Sequence, residues 1–422
     1  MSRFVLLILS MVIPMVASQG QESSQDVAIR QTARFLTSQK AQGEILSDTE
    51  AHLTLAAKTK ACYVFNVGNS GWAVSSSNDK NARVLAFSSD GHLDADKLPE
   101  QLKALLAIYD GTAGLQDAEP TSTSTDRQDA IGTMLTTKWG EYAPYNSLCP
   151  QVPSEDGETI VTAPAGSATV AMAQLMRYYR WPLAVKDIEH TSWHLTDYPF
   201  PDYGKLPDTT FDWDAMPDCL NADAGSEAYE VARLMKYIGY ASRSYYHYKS
   251  TAVIWNDVVN TLKKFGYDAR MESINPFIDR PVSDKAIYDE LSAGRPVLVL
   301  VRLLDEIQNH VAVVDGYCYM SEYGCGYYHV NWGWNGEGNG FYYLPTDQTA
   351  KEGMSSYFYT MKMITASKVE SANSKGGDAT GIDSMHQDSS NSGGYFDLQG
   401  RRFTTQPRRG LYIKDGKKIV VK

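Results

Sequence analysis

Five cysteines in 422 residues are too few for a disulfide-dense scaffold. Bases are short as well. The 39 Lys and Arg stand against 50 Asp and Glu, a formal charge of −11, so no strong basic field exists and nucleic acid is not an expected partner. After the first 18 residues no stretch reaches 18 consecutive apolar positions, and no membrane span is expected. The glycine-rich run 333–340 lacks the Lys-Ser/Thr ending of a phosphate loop, and no dinucleotide fingerprint occurs. His190 and His194 are spaced i, i+4, but without the His-Glu-x-x-His order of a zinc protease, and Pro199 and Pro201 oppose a long helix. They read as a loop, so no metal and no cofactor are expected. What is plentiful is apolar and turn-forming. Hydrophobic residues make up 43%, with 27 tyrosines and 32 glycines, enough for real cores, many strands and tight turns in two or three domains.

Arg3, an apolar run over residues 4–16 and then Ala17-Ser18 have the form of a secretory signal peptide, with cleavage expected after Ser18. Periodicity predicts helices at 27–42 and, with breaks, 48–60, strands at 61–65, 72–75 and 83–87, and a helix at 98–106. This α+β block ends near Gly111. The Ser- and Thr-rich segment 117–127 reads as an exposed linker, a natural site of proteolytic nicking.

The second block, about 132–367, has predicted helices at 169–179, 227–238, 252–265 and 286–292. Strands follow at 297–303, 311–319, 327–332, 340–344 and 357–364. Helices first and a hairpin-rich antiparallel sheet last describe an α+β domain with segregated layers. Cys318 and Cys325 flank a turn between two strands, and either a disulfide or two free thiols fits that placement. Residues 371–394 are Ser-, Gly-, Asn- and Asp-rich and linker-like. Residues 395–422 carry eight bases, two acids and several turn signals, which suit a three-stranded module or a basic tail.

Gly166-Ser167 stands immediately before a predicted helix, where dipole and free amides favour a nucleophile. His310 follows 143 residues later, and Asn331-Trp332 a further 21. Nucleophile, base and orienting amide in that order suit papain-like chemistry: the base must reach the nucleophile and the amide must fix the ring. By spacing alone, Ser167 reads first as an N-cap, and His310 equally as a structural histidine.

The run 164–174 (Pro-Ala-Gly-Ser-Ala-Thr-Val-Ala-Met-Ala-Gln) resembles the nucleophile segment of the streptopain family of bacterial papain-like cysteine peptidases. The resemblance extends to Lys138-Trp139-Gly140-Glu141, Gly294-Arg295-Pro296-Val297, residues 310–317 and residues 329–336. Tyr63-Val64-Phe65-Asn66 and Leu98-Pro99 are similar to the family's inhibitory propeptide. The resemblance implies a papain-like fold and an exported zymogen whose propeptide covers the cleft. It also implies catalytic roles for Ser167 at the nucleophile position, His310 as base, Asn331 and Trp332 to orient and shield it, and Glu141 at the position of the oxyanion-hole glutamine. The tail resembles short C-terminal sorting modules of exported Bacteroidetes proteins.

Two departures bear on activity. Ser167 stands where the family has cysteine, and a hydroxyl cannot form the thiolate–imidazolium pair. Glu141 stands where the family has glutamine, and an ionised carboxylate only accepts hydrogen bonds. Ala168-Thr169-Val170 and Asn309 also differ from the family pattern. The expected organisation is a signal peptide at 1–18, an inhibitory propeptide-like domain at 19–126, a papain-like peptidase domain at 127–367, a linker at 368–394 and a sorting-like module at 395–422. Three functions compete: an impaired peptidase homologue, or pseudoenzyme; an active serine-type endopeptidase using Ser167 and His310; and a non-catalytic peptide- or surface-binding protein. The expected partners are a polypeptide substrate or peptide ligand, the protein's own propeptide and, through the tail, export machinery. The expected location is secreted or cell-surface, otherwise periplasmic.

Overall fold

The computed structural model describes residues 23–41, 53–77, 82–98, 103, 105–107, 109–110, 130–190, 204–274, 280–303, 309–321, 323–343 and 358–369, and short strands within 395–421. The expected signal peptide, the 117–127 linker, residues 370–394 of the second linker and His194 lie outside the described residues, while Lys368 of that second linker ends a strand. The chain divides into two compact units, one ending at Val369 and the other beginning at Glu370.

Helix α1 (Ser24–Ala41) comes first, then strands β1 (Leu53–Lys58), β2 (Cys62–Val67), β3 (Trp72–Ser76) and β4 (Val84–Ser88). The later elements are α2 (Ser167–Tyr179), α3 (Tyr229–Ala241), α4 (Trp255–Lys264), β5 (Tyr267–Ile274), α5 (Arg280–Ser292), β6 (Val297–Leu303), β7 (Asn309–Met320), β8 (Cys325–Asn331), β9 (Gly340–Tyr342) and β10 (Phe358–Lys368). All ten strands form one antiparallel sheet in the order β1-β2-β3-β4-β9-β8-β7-β6-β10-β5, and Ala130–Ile131 pairs with β7. The first block therefore has no sheet of its own. Its β4 pairs with β9, Phe87 opposite Phe341 and Ala86 opposite Tyr342.

The period of two along the central strands divides the core between the two faces of the sheet. Val297, Val299, Ala312 and Val314 point into a cluster with α1 (Phe35, Leu36), α5 (Ile287, Leu291) and the tyrosines 317, 327 and 342. Leu298, Leu300, Val311 and Val313 point into another with α2, α3 and α4. Every residue of α2 from Ser167 to Met176 is buried. Such a helix is a central core element, all-round apolar except for a few polar groups with specific partners.

Several expectations change. The helix expected at 48–60 is instead β1 where described. Leu53 and Leu55 alternate toward Tyr63 and Phe65, and pairing with β2 outweighs helical propensity. Strand β5 was not anticipated, although Tyr267, Ala269 and Met271 alternate into the core. The tail holds four strands rather than three: β11 (Tyr395–Phe396), β12 (Arg402–Phe403), β13 (Gly410–Lys414) and β14 (Lys417–Val421), in the order β12-β11-β13-β14. None of the five cysteines is in a disulfide. Met320, not Cys318, lies opposite Cys325, so the two thiols are out of register for a bridge.

Candidate functional site

The site lies where the start of α2 meets β7. Ser167 is not the N-cap that spacing allowed. Gly166 caps the helix, with φ +87°, and Ser167 is the first helical residue. Glycine is required at 166. Its left-handed φ disfavours other residues, and a Cβ would lie 2.7 Å from the Thr251 carbonyl oxygen. The Val311 amide on β7 donates to Ser167 Oγ at 3.2 Å, which places His310 beside the helix start.

His310 is 2% exposed. Its Nε2 bonds the Trp332 carbonyl oxygen at 3.0 Å. A carbonyl only accepts, so Nε2 carries the proton and Nδ1 is the basic nitrogen. Burial drives the imidazole down to about 4, against the smaller upward pull of that bond. Trp334 lies 4.9 Å from the imidazole centroid and stacks on Trp332 at 5.1 Å and 4°. Among the described residues the imidazole makes no hydrogen bond to Ser167 Oγ or to Asn331.

Asn331 is thus not the ring's orienting partner. Its Nδ2 donates to the Thr137 carbonyl at 2.8 Å, and its Oδ1 accepts from Gln174 Nε2 and the Gly333 amide, both at 3.1 Å. The Trp332 carbonyl takes the orienting part in its place. Gln174, fully buried on α2, also accepts from Thr137 Oγ1 at 2.9 Å and the Trp139 amide at 3.3 Å. It ties α2, the 137–139 segment and the end of β8 together. Nothing in the periodicity marked Gln174, which is one of three polar residues, with Ser167 and Thr169, in the buried part of the helix. Trp334 was legible only as one of several aromatics near the Asn331-Trp332 pair.

Glu141 stands beside the helix start. Its carbonyl accepts the Ala165 amide at 2.7 Å. Its carboxyl is pushed up to about 7 by burial, and a hydrogen bond with the Trp334 side chain pulls the other way. Indole is a donor only, so Glu141 is the acceptor. The site therefore gathers Ser167, His310, Trp332 and Glu141 and leaves Asn331 in a neighbouring network.

The first block approaches this region. Lys138 pairs with Asp90, and after burial the charge of Asp94 is the next cause raising Glu337, three residues past Trp334. Elsewhere His190 Nε2 bonds the Ser244 carbonyl at 3.1 Å. Among the described residues no group of three His, Cys, Asp or Glu is placed to hold a metal ion, and no helix is long and apolar enough to cross a membrane.

Comparison with known proteins places these features. Residues 139–342 match the family model described as the peptidase C10 family, and residues 21–113 match that of the Spi protease inhibitor. Streptopain of Streptococcus pyogenes is 26% identical over 309 residues, 67% of this chain and 73% of its own. The thiol protease/hemagglutinin PrtT of Porphyromonas gingivalis is 26% identical over 306 residues, 67% of this chain but 33% of its own. A mutant fragment of Prevotella intermedia prointerpain A superposes with a TM-score of 0.59 at 25% identity, covering 74% of this chain and 98% of that one. The expected α+β, papain-like architecture is the one shared with that structure. At family level the chain is similar to the streptopain-type C10 peptidases over residues 139–342, with a match to the Spi protease inhibitor ahead of that stretch.

Proposed function

We propose that this protein is an exported, zymogen-like member of the streptopain type whose peptidase site is catalytically impaired, with Ser167 and His310 in the positions of nucleophile and base. One observation carries the reading. Ser167 Oγ accepts the Val311 amide and has no hydrogen bond to the imidazole. A serine nucleophile needs its proton taken during attack. A base held down to about 4 is a poor acceptor for a hydroxyl proton at neutral pH. Glu141 adds to the impairment above about pH 7, where it is a carboxylate with no proton for an oxyanion, and one lost donor costs about 3 kcal/mol. The names of the relatives, streptopain and a thiol protease, support a polypeptide as the ligand class of the cleft.

The test is casein hydrolysis under reducing conditions by purified protein, intact and after cleavage in the 111–129 segment. Little or no turnover is expected from the parent in both forms. Ser167→Cys with Glu141→Gln is expected to gain activity beyond either single substitution, because both act on one transition state. Robust parental cleavage abolished in Ser167→Ala would replace this reading with serine-type catalysis.

The apolar run at 4–16 and the basic segment 395–422 support export and attachment or sorting. Truncation after Ser390 in the native host, followed by fractionation, tests the tail. Retention in the periplasm is expected, and equal release of parent and truncated protein would refute it.

A further inference from the structure

Arg83, the residue before β4, carries a cation from the first block into aromatic surroundings. Its guanidinium carbon lies 4.2 Å from the Tyr343 ring centroid and 4.8 Å from that of Tyr323. Both distances fall within the ~6 Å over which a ring face attracts a cation. Nη2 donates to Cys325 Sγ at the start of β8. Nε is buried without a hydrogen-bond partner, and among the described residues no carboxylate pairs with the guanidinium. We propose that Tyr323, Tyr343 and Cys325 form a guanidinium-binding site, apart from Ser167 and His310. The site takes the arginine of an extended polypeptide strand laid against β9, and Arg83 is its resident ligand.

The residues that follow Arg83 are held as such a strand. The Val84 amide donates to Tyr323 Oη at 3.3 Å, and the Val84 carbonyl accepts from Tyr327 Oη at 2.5 Å. The Leu85 carbonyl accepts the Tyr343 amide at 2.8 Å. Ala86 and Phe87 then pair with Tyr342 and Phe341, and the two phenyl rings stack at 5.3 Å. Backbone pairing of this kind adds a strand of almost any sequence, so selectivity falls to the side-chain pockets beside it. Here the pocket is the tyrosine pair. A guanidinium is planar and more weakly hydrated than an ammonium, so it lies flat on ring faces where lysine does not. Tyr323 and Cys325 lie in the stretch that matches the peptidase family, and Arg83 lies in the stretch that matches the inhibitor. The site therefore gives the body of the chain a means of reading one side chain of the first block, and it is vacated if that block leaves. None of this depends on whether Ser167 turns over a substrate.

Chemical rescue in the full chain tests the site. Arg83→Ala empties it and is expected to lower the melting temperature by about 4 °C or more. Millimolar ethylguanidinium is expected to raise the melting temperature of Arg83→Ala saturably, by about 2–4 °C. Ethylammonium at equal ionic strength should not do so, and the parent, whose site is filled, should not respond. Arg83→Met keeps the apolar stem and Arg83→Lys keeps the charge; both are expected to melt below the parent, so the proposal stays open to refutation if Arg83→Ala fails to fold. Absence of rescue, equal rescue by ethylammonium, or an equal rise in the parent overturns the proposal. So does a melting temperature of Arg83→Met or Arg83→Lys that matches the parent, since burial or charge alone would then account for Arg83.

Discussion

Replacing His310 by Gln removes a buried base while leaving an N–H donor for the Trp332 carbonyl, and it should alter how stability depends on pH. The imidazole has an ordinary value of 6.5 and lies at about 4 in the folded protein. Between those limits the unfolded chain binds a proton that the folded one refuses. The contribution of His310 is therefore fully present above 6.5 and is lost as pH falls toward 4. At about 1.4 kcal/mol for each tenfold change in proton affinity, that span is worth about 3 kcal/mol. Glu141 works in the opposite sense. Its folded value, about 7, lies above its ordinary 4.5, so the folded protein gains stability as pH falls through that range. The two nearly cancel in the parent. Urea unfolding at intervals from pH 8 to pH 4 should show His310→Gln gaining about 3 kcal/mol relative to the parent as pH drops from 6.5 to 4. Glu141→Gln should lose a similar amount between pH 7 and 4.5. Parallel curves for parent and His310→Gln across that range would refute the argument that burial holds the ring neutral.

Other perturbations test the framework around the site. Gln174→Met should lower stability by about 2–4 kcal/mol, because Thr137 Oγ1, the Trp139 amide and Asn331 Oδ1 all lose a buried partner; an unchanged melting temperature would contradict the network. Gly166→Ala should cost at least about 1 kcal/mol through its left-handed backbone and the Thr251 clash, and thermal melting checks this. Asn331→Asp should destabilise the protein more than it changes the His310 titration followed by NMR, since Asn331 does not touch the imidazole. A shift of the imidazole resonance exceeding the loss of stability would restore Asn331 to the orienting role.

The order of elements was legible because long periodic segments announce themselves. Helix α2 and strands β6, β7 and β8 follow from runs such as Val311-Ala312-Val313-Val314. The pairing of Ser167 with His310 came from the resemblance rather than from spacing, and the contact in the structure runs from Ser167 Oγ to the Val311 amide, not to the imidazole. Strand β1 was hidden because a short, Thr- and Ala-bearing run has no strong period, and its pairing with β2 decides it. The diversion of Asn331 was hidden for a different reason. Its side chain is claimed by Thr137 and Gln174, 194 and 157 residues away in sequence, and no local pattern encodes such a claim. The place of Trp334 was equally hidden, because its contact with His310 joins residues 24 apart on different segments.

The pairing of β4 with β9 has a further consequence for any protease that severs the first block. If the severed block is then stripped away, Phe341 and Tyr342 lose the strand beside them, and Phe35, Phe87 and Tyr109 cease to cover Tyr327 and Tyr343. What remains is an open sheet edge of unpaired amides and carbonyls bordered by tyrosines, the surface on which chains add to one another and aggregate. Scission of the linker is thus expected to yield a nicked two-chain particle that co-elutes intact, whereas chaotrope-driven separation of its pieces should send the larger one into aggregates.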